Sequence, residues 1–146
     1  MPSIFSRIIA GELPGAFVWK DAHVVAFLSI APMMPGHTLV VPRDEIDHWI
    51  DLDPARAAHL FNVARQIGRA QDLEWKPRRV GLLIVGEEVP HTHLHVVPIN
   101  HPEELTFAHA DPVPDFDAIG AAAVRIRVRL RELGCTEASE ASLGGP

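Results

Sequence analysis

The sequence predicts an α+β domain: a mostly antiparallel sheet of about five strands, a central helix and a C-terminal helix. Three observations carry this. Short apolar runs bounded by turn residues fill residues 16–42 and 80–98. Between them, one long stretch repeats apolar residues with a helical period. A second helical stretch follows the last strand, and strands grouped around a helix in this order favour an antiparallel sheet with helices packed on it.

SIFSRIIA, residues 3–10, reads as a short helix stopped by Gly11. AFVWK (16–20) and VVAFL (24–28) flank Asp21-Ala22-His23 and predict a hairpin. APMMPG (31–36) cannot continue a regular element, and HTLVVP (37–42) is a third strand ended by Pro42. Asp53 suits an N-cap and Pro54 the first helical position. Leu60, Val63, Ala64 and Ile67 then fall on one face, which predicts a helix over 54–70. VGLLIV (80–85) is a strand, GEEVP a turn or bulge, and HTHLHVVP (91–98) the last strand. Residues 99–114 read as a loop. Ile119, Ala123, Ile126, Leu130 and Leu133 line one side of a final helix over 115–133, ended by Gly134. The expected organisation is a single domain over 1–134 and a flexible tail over 135–146.

A chain of 146 residues is one domain's length, and 47% hydrophobic residues suffice for a core. The formal net charge of −6 leaves no basic field for a nucleic-acid backbone, though one nucleotide in a local pocket is compatible with it. Cys135 is the sole cysteine, which excludes an intramolecular disulfide and a cysteine metal cluster. The first residues lack a secretory h-region, and no run approaches the ~20 apolar residues of a membrane span. A cytoplasmic protein without membrane or nucleic-acid partners is expected.

The chemistry concentrates in VPHTHLHVVP, residues 89–98. On a strand His91, His93 and His95 share one face, about 6.5–7 Å apart along the backbone, while Leu94 and Val96 face the core. Imidazole can ligate a metal, attack phosphorus or carbon, or move a proton near neutral pH. The bland alternative is a solvated polar face. A cupin-like metal site is a third reading, but Gly86 sits one residue too near the histidines, Glu103 comes late, and the strands are too few for a double-sheet barrel.

His91-Thr92-His93-Leu94-His95-Val96-Val97 resembles the histidine triad (HIT) motif, HφHφHφφ, with Thr92 a modest departure. SIFSRIIAGELPG and VVAFLSIAPMMPGHTLVVPRDEI resemble the opening helix, hairpin and central strand of that family, so the likeness covers roughly residues 3–98. It is strongest to the bacterial, nucleoside-phosphoramidase-like branch. It implies a HIT-like fold and a homodimer sharing one continuous sheet. The activity implied is hydrolysis or nucleotidyl transfer at the α-phosphate of a purine nucleotide, an AMP or GMP conjugate, without a cofactor. By motif position His93 would be the nucleophile and His95 would contact the phosphate or leaving group. His91 would orient the site and His37 support the network. The implied nucleotide contacts are Ile4, Phe5, Ile8 and Phe27, with Ser29, Gly86, Glu88 and Val89 nearby. A nucleotide-binding or regulatory protein with little turnover is the alternative within the same scaffold.

Three departures bear on this. Many bacterial members hold structural zinc at positions that match Ser3, Ser6, Glu45 and His91; hydroxyls are poor zinc ligands, and no structural zinc is expected. His48 is out of register for that site and is read as a surface or interface residue. Ser29 stands where the family has a ribose-gripping aspartate. Glu88 stands where a hydroxyl is common, and it either turns outward or accepts from a cationic leaving group. Pro90 removes a backbone donor before the triad. Lys20, Arg43, Arg56, the Arg125–Arg131 series, His101 and His109 are read as surface or loop residues.

Overall fold

A computed structural model of the chain describes residues 1–140; residues 141–146, the end of the expected tail, lie outside the described residues. The strands are β1 (Phe17–Lys20), β2 (Val24–Leu28), β3 (Thr38–Pro42), β4 (Arg79–Leu83) and β5 (Leu94–Ile99). They form one sheet in the order β1-β2-β3-β5-β4, every pair antiparallel. Among the described residues three α-helices accompany them: α1 (Ile4–Ile9), α2 (Pro54–Trp75) and α3 (Phe116–Glu132). This is the predicted α+β architecture, and a single sheet excludes the double-sheet barrel of the cupin reading.

Strand alternation divides the core in two. Val24, Ala26, Leu28, Val40, Leu94 and Val96 face α2 and α3, meeting Leu60, Val63, Ile67, Ile126 and Leu130. Phe17, Val25, Phe27, Leu39 and Val41 face the other way and pack against Phe5 of α1. Because Leu39 pairs with His95, the triad shares this second face. Asp53 caps α2 by accepting from the Arg56 amide, as the sequence suggests, and Asp115, read there as the first helical residue, caps α3 by accepting from the Ala118 amide.

Four boundaries differ from the sequence reading. α2 runs five residues past 70, to Trp75. Its final turn is held by tertiary contacts: the Gln71 amide donates to the Gly36 and Val96 carbonyls, both at 2.9 Å. Glu74 pairs with Arg125 and Arg129, so part of the arginine series joins α3 to α2 rather than facing only solvent. Gly36 explains the packing of Trp75: its φ is +91°, and a Cβ there would lie 2.6 Å from the indole.

β4 ends at Leu83 rather than 85, and β5 begins only at Leu94. His91 to His93 form an irregular lead-in whose Thr92 amide and hydroxyl both donate to the Ile46 carbonyl, at 2.7 and 2.8 Å. The expected tail also starts later than 135. Thr136–Glu140 makes a 3₁₀ turn, and Cys135 and Ala138 are buried in the helical core. Among the described residues no helix is long and apolar enough to cross a membrane.

Candidate functional site

The site forms where the lead-in to β5 passes between α1 and β3. His91, His93, His95 and His37 are all buried, 0–4% exposed. Burial of four imidazoles rules out the solvated-face reading and forces each ring to find partners. Those partners fix the protons.

The Met33 amide donates to His37 Nδ1 at 3.0 Å, so the proton of neutral His37 sits on Nε2. That nitrogen donates to His95 Nδ1 at 2.9 Å, which places the His95 proton on its own Nε2. His95 Nε2 is buried and has no partner among the described residues. His93 Nδ1 lies 2.7 Å from the His91 carbonyl oxygen and must donate to it, leaving the Nε2 lone pair of His93 uncommitted. His91 Nε2 donates to the Pro42 carbonyl at 2.7 Å, so its Nδ1 accepts from the Ser3 hydroxyl at 2.6 Å. The backbone thus sets a lone pair on His93 beside an N–H on His95, with ring centroids 4.9 Å apart.

Burial, reinforced by neighbouring histidines, pushes His37 down to about 3 and His95 down to about 4. Burial also lowers His91. At neutral pH these three rings are neutral, as the hydrogen bonds they make require.

Ser3, Ser6, Glu45 and His91 do meet. The Glu45 carboxylate accepts from the Ser3 amide at 2.6 Å and the Ser6 hydroxyl at 2.8 Å. Those bonds hold its pKa below the usual carboxylate range. Ser3 Oγ also accepts from the Ser6 amide as the N-cap of α1. The four positions bond one another, clamping α1 to the end of β3 and to the triad.

Of the expected nucleotide contacts, Phe5 is central: its ring meets His93 edge-on at 4.8 Å, His91 at 5.9 Å and Phe27 at 5.6 Å. Ile8 and Val89 are half-buried against the same cluster. Ile4 points outward, 47% exposed. Ser29 accepts from the Ala31 amide at 3.1 Å and lines a separate cavity of about 380 Å³ with Met33 and His109. Gly86 turns the β4–β5 connection with φ +79°. His48 is exposed. Sequence reasoning missed Phe107, from the expected loop, whose ring meets His95 edge-on at 5.3 Å. It also missed the Met33 amide, a backbone group with no residue-type signal.

Among the described residues, Glu88, His93 and His95 each bring a ligand-type atom within 4.8 Å of the others. The tautomers oppose a cation there. A metal on His95 Nε2 would move that proton to Nδ1 and force His37 to point an N–H at the Met33 amide. An anionic or lone-pair acceptor fits the His95 N–H without this reversal.

The HIT domain model matches residues 10–101. A Bacillus subtilis protein named Protein hit is 37% identical over 100 residues, covering 65% of this chain and 69% of its own. A HIT-like protein of Mycobacterium tuberculosis H37Rv is 31% identical over 128 residues, 82% of this chain and 89% of that one. Among solved structures, a Zn-bound histidine triad family protein from Mycobacterium smegmatis superposes with TM-score 0.76 at 27% identity, over 92% of this chain and 96% of that chain. A hypothetical histidine triad nucleotide-binding protein from Sulfolobus tokodaii gives 0.77 at 25% identity, over 88% and 92%. The chain belongs to the histidine triad family.

Proposed function

We propose that this protein binds a purine nucleotide conjugate and cleaves it at the α-phosphate through a nucleotidyl-His93 intermediate. One observation carries the reading: the His91 carbonyl holds the Nδ1 proton of His93, so Nε2 keeps its lone pair in a buried site. His93 Nε2 attacks phosphorus, the bond to the leaving nitrogen breaks, and the departing amine takes its proton from solvent. His95 Nε2–H donates to a phosphate oxygen; it is placed in advance and has no other partner among the described residues. Water then attacks phosphorus, the P–Nε2 bond breaks, and the nucleoside monophosphate leaves. His91 and His37 position the two reacting rings. Phe5, Phe27 and Ile8 offer the apolar surface for a base.

A second reading, nucleotide binding with little turnover, draws on Ser29. Its hydroxyl oxygen already accepts from Ala31, so a ribose would find a weaker grip than a carboxylate gives. The test is hydrolysis of an adenosine 5′-phosphoramidate by wild type and His93→Ala, with mass spectrometry of the quenched protein. Turnover and a nucleotidyl adduct in the wild type alone support the enzyme. AMP binding with neither product nor adduct leaves the binding reading.

The expected homodimer is part of the proposal. β4 is a sheet edge, and a groove of about 470 Å³ between β4 and α2 exposes Phe61, Leu73 and Leu82. Sedimentation equilibrium of wild type and Phe61→Glu tests it: a dimer converted to monomer is expected, and a monomeric wild type refutes it.

A further inference from the structure

We infer that the cleft beside His93 is a leaving-group subsite that selects a positively charged amine, an inference resting on the reading of His93 as the nucleophile. The cleft, about 270 Å³, opens between the β4–β5 connection and the 3₁₀ turn at Trp49–Asp51. Asp47, His48, Trp49, Glu87, Thr92 and His93 are among the residues that line it, and no lysine or arginine does so among the described residues.

Glu88, next along the same connection, brings a carboxylate oxygen within 4.8 Å of ring nitrogens of both His93 and His95. The second observation is the buried His95 Nε2–H, which has no acceptor among the described residues while the other ring nitrogen is held by His37. A phosphate oxygen is the acceptor it suits. A phosphate seated there leaves its departing substituent beside Glu88 and the cleft.

Charge then decides what that substituent is. When a P–O bond breaks, negative charge grows on the leaving oxygen, and the adjacent carboxylates oppose it. When a P–N bond breaks, the electron pair goes to nitrogen, which takes one proton from solvent to leave as a neutral amine and a second to become an ammonium. Glu88 favours that ammonium, and Glu87 and Asp47 favour a second positive charge farther along the substituent. The exposed Trp49 ring, 48% accessible, adds an aromatic surface suited to an alkylammonium. A nucleoside polyphosphate is repelled by the same groups.

Binding separates this from the catalytic claim. In a His93→Ala background the conjugates stay intact. Adenosine 5′-phosphoramidates of 1,4-diaminobutane, butylamine and 4-aminobutyrate are titrated by calorimetry at low ionic strength, with AMP as control. The diaminobutane conjugate is expected to bind about tenfold tighter than the aminobutyrate conjugate, with butylamine between. Adding Glu87→Gln and Glu88→Gln collapses the order to within about twofold, while AMP affinity, which also reports folding, is not weakened. Equal affinities for the three conjugates, or an order that survives both substitutions, overturn the subsite. Absence of turnover by the wild-type protein sinks the catalytic reading and leaves the affinity order to be judged by itself.

Discussion

His37 Nε2 lies 2.9 Å from His95 Nδ1, and neither ring reaches solvent appreciably. Two imidazoles this close tolerate one proton between them, so a second proton on His95 costs that bond and one on His37 costs the bond from the Met33 amide, in addition to the burial. In the unfolded chain both titrate near 6.5; folded, they hold off protons until about 4 and about 3. Between those limits the unfolded state binds more protons, so stability falls as pH falls below 6.5. The slope reaches about 1.4 kcal/mol per pH unit for each histidine. Urea midpoints from pH 7.5 to 4.5 should drop accordingly, and His37→Gln should flatten the slope. A midpoint constant over that range contradicts the neutral pair.

Replacing His93 by Ala removes the attacking atom and little else. Turnover of a phosphoramidate should fall by about 10³-fold or more, with AMP affinity held within about threefold. Wild-type rate in this variant would show that His93 is not the nucleophile.

Ser3 carries two jobs through one hydroxyl, donating to His91 Nδ1 and capping α1. Ser3→Ala should cost about 1–3 kcal/mol, measured by chemical denaturation. It should also raise KM, since Phe5 lies on the helix so loosened. Chelator dialysis, by contrast, should leave the melting temperature and the activity unchanged. A loss of several degrees on chelation would mean that a metal supports the fold.

Gly36→Ala should destabilise by about 1–3 kcal/mol, because its Cβ meets the Trp75 indole at 2.6 Å and the backbone φ is +91°. His37 is the next residue, so the cost should also appear as reduced turnover. A neutral result in both assays would show that Trp75 can give way freely.

Local chemistry made much of this legible. Asp53 announced its helix as a cap, and alternation at Leu94 and Val96 assigned the faces of the last strand. The spacing of His91, His93 and His95 pointed to the candidate site. What stayed hidden depends on distant partners. The run from Gln71 to Trp75 has no apolar period, and it is helical because Gly36, Val96, Arg125 and Arg129 hold it. His91 and His93 precede the strand because Thr92 bonds Ile46 rather than a neighbouring strand. Cys135 and Ala138 sit in a segment whose composition reads as a tail, and only the space beside β1 and α3 buries them.

The clamp of Ser3, Ser6 and Glu45 on His91 is made of oxygen and nitrogen alone. Peroxide attacks thiolates and has little to react with there. The protein's sole thiol, Cys135, is buried on the helical side of the sheet, where desolvation raises its pKa and keeps it protonated. Oxidative stress that would dismantle a cysteine-held helix anchor therefore leaves this one standing, and with it the hydrogen bond that orients the first histidine of the triad.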